Sequence, residues 1–138
     1  QEGFQVVIKI IPYLVGMLVA IGMLRASGFF DNLSHWLAPV FNFVGMPSEV
    51  LPLALIRPFS GSAANGIMAE LIHVHGGDSF IAKLSATMMG STETTFYVVA
   101  VYFGAVGIRK TRYAIQAGLI SDLTGVIAAV VVCRWLFI

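Results

Sequence analysis

The sequence predicts an all-α fold: a polytopic integral membrane helical bundle with discontinuous helices and one amphipathic helix lying in the interface. Three observations predict it. Hydrophobic residues make up 58% of the 138 residues and charged ones 11%, with a mean hydropathy of +0.89, whereas a soluble chain averages about 45–50% apolar and about 25% charged. Four apolar stretches are long enough to cross a bilayer, which takes about 20 residues. Two of them carry a run of small and hydroxylic residues at mid-depth.

The first span runs from about Phe4 to Arg25, with a kink expected at Pro12 because proline lacks the donor that the helix needs. Residues 28–46 place Phe29, Phe30, Leu33, Trp36, Leu37, Val40, Phe41 and Val44 at helical steps, with Asp31, Asn32, Ser34, His35 and Asn42 between them. That pattern, centred on Trp36, reads as a helix in the membrane interface. The second span is about Val50–His75, the third about Phe80–Val106 and the fourth about Tyr113–Phe137. Gly45-Met46-Pro47-Ser48, Gly76-Gly77-Asp78 and Gly107-Ile108-Arg109-Lys110 supply the turns. One domain over residues 1–138 is expected. The chain opens Gln-Glu-Gly without Met, and its first apolar run is too long for a signal peptide's core. A fragment or one half of a longer protein is therefore expected.

Charge sets orientation. Arg109, Lys110 and Arg112 cluster between the third and fourth spans and Arg25 ends the first, which puts those loops on the cytoplasmic side of a multi-pass membrane protein. Glu2, His73, His75 and Asp78 then lie outside. A net charge of +1 excludes a nucleic-acid binder driven by a basic field. The single Cys133 excludes a disulfide framework or a multi-cysteine metal site and reads as a small buried hydrophobe. No phosphate loop or Ser/His/Asp constellation appears, so no enzymatic activity, cofactor or metal is expected.

The polar runs carry the functional signal. The middle of 50–75 falls inside Arg57-Pro58-Phe59-Ser60-Gly61-Ser62-Ala63-Ala64-Asn65-Gly66, and the middle of 80–106 inside Met89-Gly90-Ser91-Thr92-Glu93-Thr94-Thr95. Gly61-Ser62-x-x-Asn65 matches Gly90-Ser91-x-x-Thr94 at an offset of 29. The two spans cross in opposite directions, so equivalent breaks would meet near the midplane. Paired, Gly/Pro-interrupted segments are the best sequence pointer to a transporter site built from broken helices. The candidate ligand groups are Ser60, Gly61, Ser62 and Asn65 with Gly90, Ser91, Thr92, Glu93, Thr94 and Thr95.

Energetics favour a use for Glu93. Phe80, Ile81, Leu84, Phe96, Val98, Val99, Val101, Phe103 and Val106 together contribute about −3 to −5 kcal/mol to insertion. One central carboxylate costs roughly 2.5–3.5 kcal/mol. The third span is therefore marginal alone and needs neighbouring helices or a wet cavity. Glu93 either binds an ion or substrate or pairs structurally with Arg57, which lies about 9 Å off the midplane at ~1.5 Å per residue. Asp122, beside Ser121 and Thr124, either lines the same cavity or caps a helix contact.

Other polar residues read as structural. His73-x-His75 does not share a helix face and reads as a loop. Glu70 reads as interfacial, and Lys9, Lys83 and Arg134 lie near span ends where they can snorkel. Met88-Met89 reads as packing, and Ala63, Ala64, Gly104, Gly107, Gly118 and Gly125 as close-packing positions between helices.

Four stretches carry a family resemblance over essentially the whole chain. These are Ile11-Pro-Tyr-Leu-Val-Gly-Met-Leu-Val-Ala; Leu51-Pro-Leu-Ala-Leu-Ile-Arg-Pro with Ser60-Gly61; Gly90-Ser91-Thr92-Glu93-Thr94-Thr95; and Val101-Tyr-Phe-Gly-Ala-Val-Gly-Ile. The chain resembles the spore maturation protein B family, of the nucleoside-recognition or gate-domain group. That group also includes the gate regions of Feo-type ferrous iron transporters and resembles parts of concentrative nucleoside carriers. The resemblance implies a bacterial inner-membrane protein, in contact with lipid and partnered with or fused to a spore maturation protein A type subunit, and linked in spore formers to spore-core dehydration. It implies no particular solute or ion. Homo-oligomers are also compatible with it. Family members carry a further hydrophobic segment ahead of the first span that this sequence lacks.

Overall fold

This computed structural model describes the backbone of residues 2–137 and, within that stretch, all side chains except a set in the first two helices. Expectations placed on the side chains of Glu2, Arg25, Phe30, Asp31 and Ser34 lie outside the described residues. Among the described residues every regular element is helical.

Helix α1 spans Glu2–Ala26 and α2 spans Phe29–Val44. Left-handed glycines bound α2, Gly28 at φ 72° and Gly45 at φ 82°, a conformation glycine adopts without a Cβ clash. The Gly45 N–H closes the helix on Asn42 O, and Met46 N–H on Phe41 O. Leu37, Ala38, Phe41 and Val44 turn toward the rest of the chain, while Trp36 and Phe43 are 84% and 94% exposed. α2 is thus apolar on its outer side as well as its inner one, more so than the sequence pattern predicts.

A single 3-10 turn, Ser48–Val50, leads into α3, Leu51–Ile56, where Pro52 sits in the first turn and its missing N–H costs nothing. Pro58 cannot continue the helical ladder. The chain closes on Ile56 O from Phe59 N and Ser60 N, both 2.9 Å, turns extended at Ser60 and restarts as α4, Gly61–His75. The Ser60 hydroxyl accepts from Ala63 N at 3.2 Å, as an N-cap should. Non-helical backbone is confined to 57–60. The expected polar interruption ran on to Gly66, but the cap at Ser60 lets Gly61–Gly66 form the first turns of α4.

α5 covers Phe80–Ser91, capped by Ser79. Thr92 is extended at φ −124°, ψ 162°, and helix resumes as α6, Thr95–Val98. Hydroxyls in this stretch compete for backbone groups, and Thr92 Oγ1 donates to Met88 O at 2.6 Å. α6 continues into a π-helical turn, Val99–Phe103, a form concentrated at functional sites. After the exposed basic loop, α7 runs from Ala114 to Phe137.

The core lies among α3, α4, α5 and α7. Leu53, Ala64, Leu71, Leu84, Met88, Val126, Ala129, Val130 and Cys133 are buried there. Cys133 donates to Thr87 Oγ1 at 3.3 Å. Among the described residues one helix, α7, is long and apolar enough to cross a membrane.

Candidate functional site

The two interruptions meet. Phe96 N–H, at the start of α6, donates to Pro58 O at 2.9 Å. The rings of Phe59 and Phe96 stack with centroids 4.7 Å apart and 16° between planes. A Cβ on Gly61 would stand 3.3 Å from Thr94 Oγ1 and 3.4 Å from an Arg57 guanidinium nitrogen, a tight fit that would press on both side chains.

Two charged side chains hold the second interruption, one at each end. Arg57 donates from Nη2 to Thr92 O at 2.7 Å and to Met89 O at 3.1 Å, and from Nη1 to Thr94 Oγ1 at 2.8 Å. These carbonyls belong to the end of α5, where the helix exposes unpaired acceptors and partial negative charge. Arg57 Nε is buried without a hydrogen-bond partner. Asp122, on α7 and 6% exposed, works at the other end. Its Oδ1 accepts from Glu93 N at 2.8 Å and its Oδ2 from Thr95 Oγ1 at 2.6 Å. The carboxylate thereby serves the unpaired donors where α6 begins.

Small residues on one face of α7 bring Asp122 this close. Gly118, Asp122 and Gly125 recur at steps of four and three, the spacing of one helix face. A Cβ on Gly118 would lie 2.5 Å from Thr95 Cγ2, and one on Gly125 would lie 2.6 Å from Ser91 O. No side chain larger than hydrogen fits at either position without displacing the interruption.

Some of the expected site residues fall into two clusters. Arg57, Gly61, Thr92 and Thr94 form one cluster, and Thr95 with Asp122 and the Glu93 amide another. Ser60 caps α4 and lies 3.3 Å from the Ser62 hydroxyl. Of the two alternatives for Glu93, a structural pair with Arg57 finds no support in this geometry: the guanidinium donates to the α5 carbonyls and Thr94. Asp122 uses both oxygens within the chain, so the geometry is that of a cap. The Glu93 side chain is exposed, as are Ser62, Asn65, Gly90 and Ser91. Ser91 Oγ also lies 3.4 Å from Gly125 O. The Pro58–Phe96 bond and the Phe59–Phe96 stack carry no signal in residue spacing; they arise from tertiary approach alone. Among the described residues no cluster of three or more His, Cys, Asp or Glu could hold a metal.

An all-helical chain whose polar interruptions are locked together in this way matches, over residues 7–109, the family model described as gate, nucleoside recognition. No solved structure matches the chain. It is 53% identical over 137 residues to spore maturation protein B of Bacillus subtilis (strain 168), covering 99% of this chain and 77% of that protein. The chain belongs to the spore maturation protein B family, with a gate-type nucleoside-recognition domain.

Proposed function

We propose that this chain is one half of a membrane transporter or channel for a small solute or ion, with Glu93 as its ligand-facing group. In this reading α1, α3–α4, α5–α6 and α7 each cross the bacterial inner membrane, and α2 lies in the interface. α3 has 6 residues and α5 has 12, too few to cross alone at about 20 per span. Joined through 57–60 and 92–94, each pair has the length of a crossing, with non-helical backbone at mid-depth. Such backbone is tolerated in a bilayer only when protein or a water-filled cavity covers it.

The observation that carries the proposal is the division of labour among the three charges. Arg57 and Asp122 are consumed by backbone ends and neighbouring threonines, whereas Glu93 lies between them with its carboxylate exposed. The hydrogen bond that the Glu93 N–H donates to Asp122 fixes the backbone from which that carboxylate projects. Glu93 would bind a cation or proton, with exposed Ser62, Asn65 and Ser91 as the remaining polar groups of the opening. The hydroxyls of Thr92 and Thr94 are engaged by Met88 O and Arg57, so they act as supports.

The test is ligand- or ion-dependent thermal stabilisation of the purified protein. Glu93→Gln should abolish it while leaving the protein folded, and an unchanged response would refute the role. A second reading, a non-transporting subunit of a complex with a spore maturation protein A type partner, is favoured by the self-contained bonding of Arg57 and Asp122. Under it Glu93→Gln would release the partner on co-purification and alter no flux.

A further inference from the structure

We infer that the ligand of the Glu93 opening is a single monovalent cation, an alkali-metal ion or ammonium, and not a divalent metal. The inference rests on the ligand-facing role of Glu93 above and adds to it the charge that the opening accepts. One peptide unit carries the case. Arg57 Nη2 donates to Thr92 O at 2.7 Å, and the N–H of that same peptide bond, on Glu93, donates to Asp122 Oδ1 at 2.8 Å. A cation and an anion thus stand at opposite ends of one peptide dipole. Asp122 accepts at both oxygens, as a carboxylate does, so it and Arg57 offset each other. The Glu93 side chain leaves from the next Cα. Its carboxylate is exposed, and among the described residues it has no side-chain partner.

The layer where the two interruptions meet therefore holds one positive and two negative side chains, Arg57 against Asp122 and Glu93, a net charge of −1. Net charge at bilayer depth is costly. One monovalent cation brings the layer to neutrality, whereas a divalent one reverses its sign. The donor set agrees. Ser62, Asn65 and Ser91, the other exposed polar groups of the opening, offer neutral oxygens. Calcium sites collect several oxygen ligands with more than one carboxylate, and magnesium is held by carboxylates together with substrate phosphates. Softer divalent metals take imidazole or thiolate, and the opening has neither.

Thermal unfolding of the purified chain in detergent tests this, at fixed pH and with ionic strength held by N-methylglucamine chloride. Sodium, potassium or ammonium chloride should raise the midpoint saturably, by roughly 4–8 °C at about ten times its Kd. Magnesium, calcium and manganese chloride should not. Glu93→Gln should remove the rise. Asp122→Asn keeps Glu93 but leaves the layer neutral, so it should weaken the monovalent cation about tenfold or more. A rise produced by a divalent cation and lost in Glu93→Gln overturns this inference and leaves the Glu93 role standing. A monovalent rise unchanged in Glu93→Gln overturns both. No rise with any of these salts, or an Asp122→Asn that responds like wild type, also overturns the inference. Asp122→Asn decides alone should Glu93→Gln fail to fold.

Discussion

Replacing Asp122 is the sharpest perturbation of the locked interruption. Asp122→Ala leaves the buried Thr95 hydroxyl and the part-buried Glu93 N without their acceptor. A hydrogen bond to a charged group contributes about 1.5–3 kcal/mol, so the loss of two predicts a destabilisation of about 3–6 kcal/mol. Asp122→Asn keeps an oxygen for Glu93 N, and the Thr95 hydroxyl can turn to accept from the new amide. That variant loses only the charge assistance, about 1 kcal/mol. For a chain of this size each kcal/mol moves the midpoint by roughly 3–6 °C. Thermal unfolding in detergent, followed by Trp36 and Trp135 fluorescence, should show Asp122→Ala roughly 9–36 °C below wild type and Asp122→Asn within roughly 6 °C of it. Equal losses for the two variants, or an Asp122→Ala as stable as wild type, would refute the capping argument.

Other changes around the same point have graded outcomes. Arg57→Met strips the α5 end and Thr94 of their donor and should cost about 2–4 kcal/mol in the same assay. Arg57→Lys, a point charge without the planar fork, should fall between Met and wild type. Gly118→Ala and Gly125→Ala force a Cβ to within 2.5 and 2.6 Å of their neighbours and should each cost about 1–3 kcal/mol. Gly16→Ala, with nothing within 4 Å, should be neutral or stabilise by up to about 1 kcal/mol. Equal effects at Gly16 and Gly118 would show that helix propensity, not packing, governs these sites.

Much of the fold is legible in the sequence because its signals are local. The apolar stretches at 50–75, 80–106 and 113–137 are read from run length alone, and helices α3–α4, α5–α6 and α7 fall within them. Pro58 and the hydroxylic run after Gly90 mark the two interruptions, though their width depends on capping. Ser60 rescues the glycine-rich stretch behind it, which composition alone reads as unwound. The pairing of charges is not legible. Arg57 and Glu93 are opposite in sign and near in depth, which suggests an ion pair. The unpaired carbonyls ending α5 are the better partners, and no side-chain pattern records them. Asp122 lies 29 residues from Glu93, and its approach depends on hydrogen-sized seats at Gly118 and Gly125. The sequence offers those glycines as packing positions without saying what packs there.

The central claim is that two capped helix ends hold Glu93 at a wet opening within the membrane. Thiol accessibility in intact membranes tests it most directly, with the native Cys133 as the buried reference. Glu93→Cys should react readily with a water-soluble maleimide while Cys133 in the same chain stays unmodified. A Glu93→Cys that is inert in membranes and reacts only after detergent extraction would place this position against lipid and contradict the account.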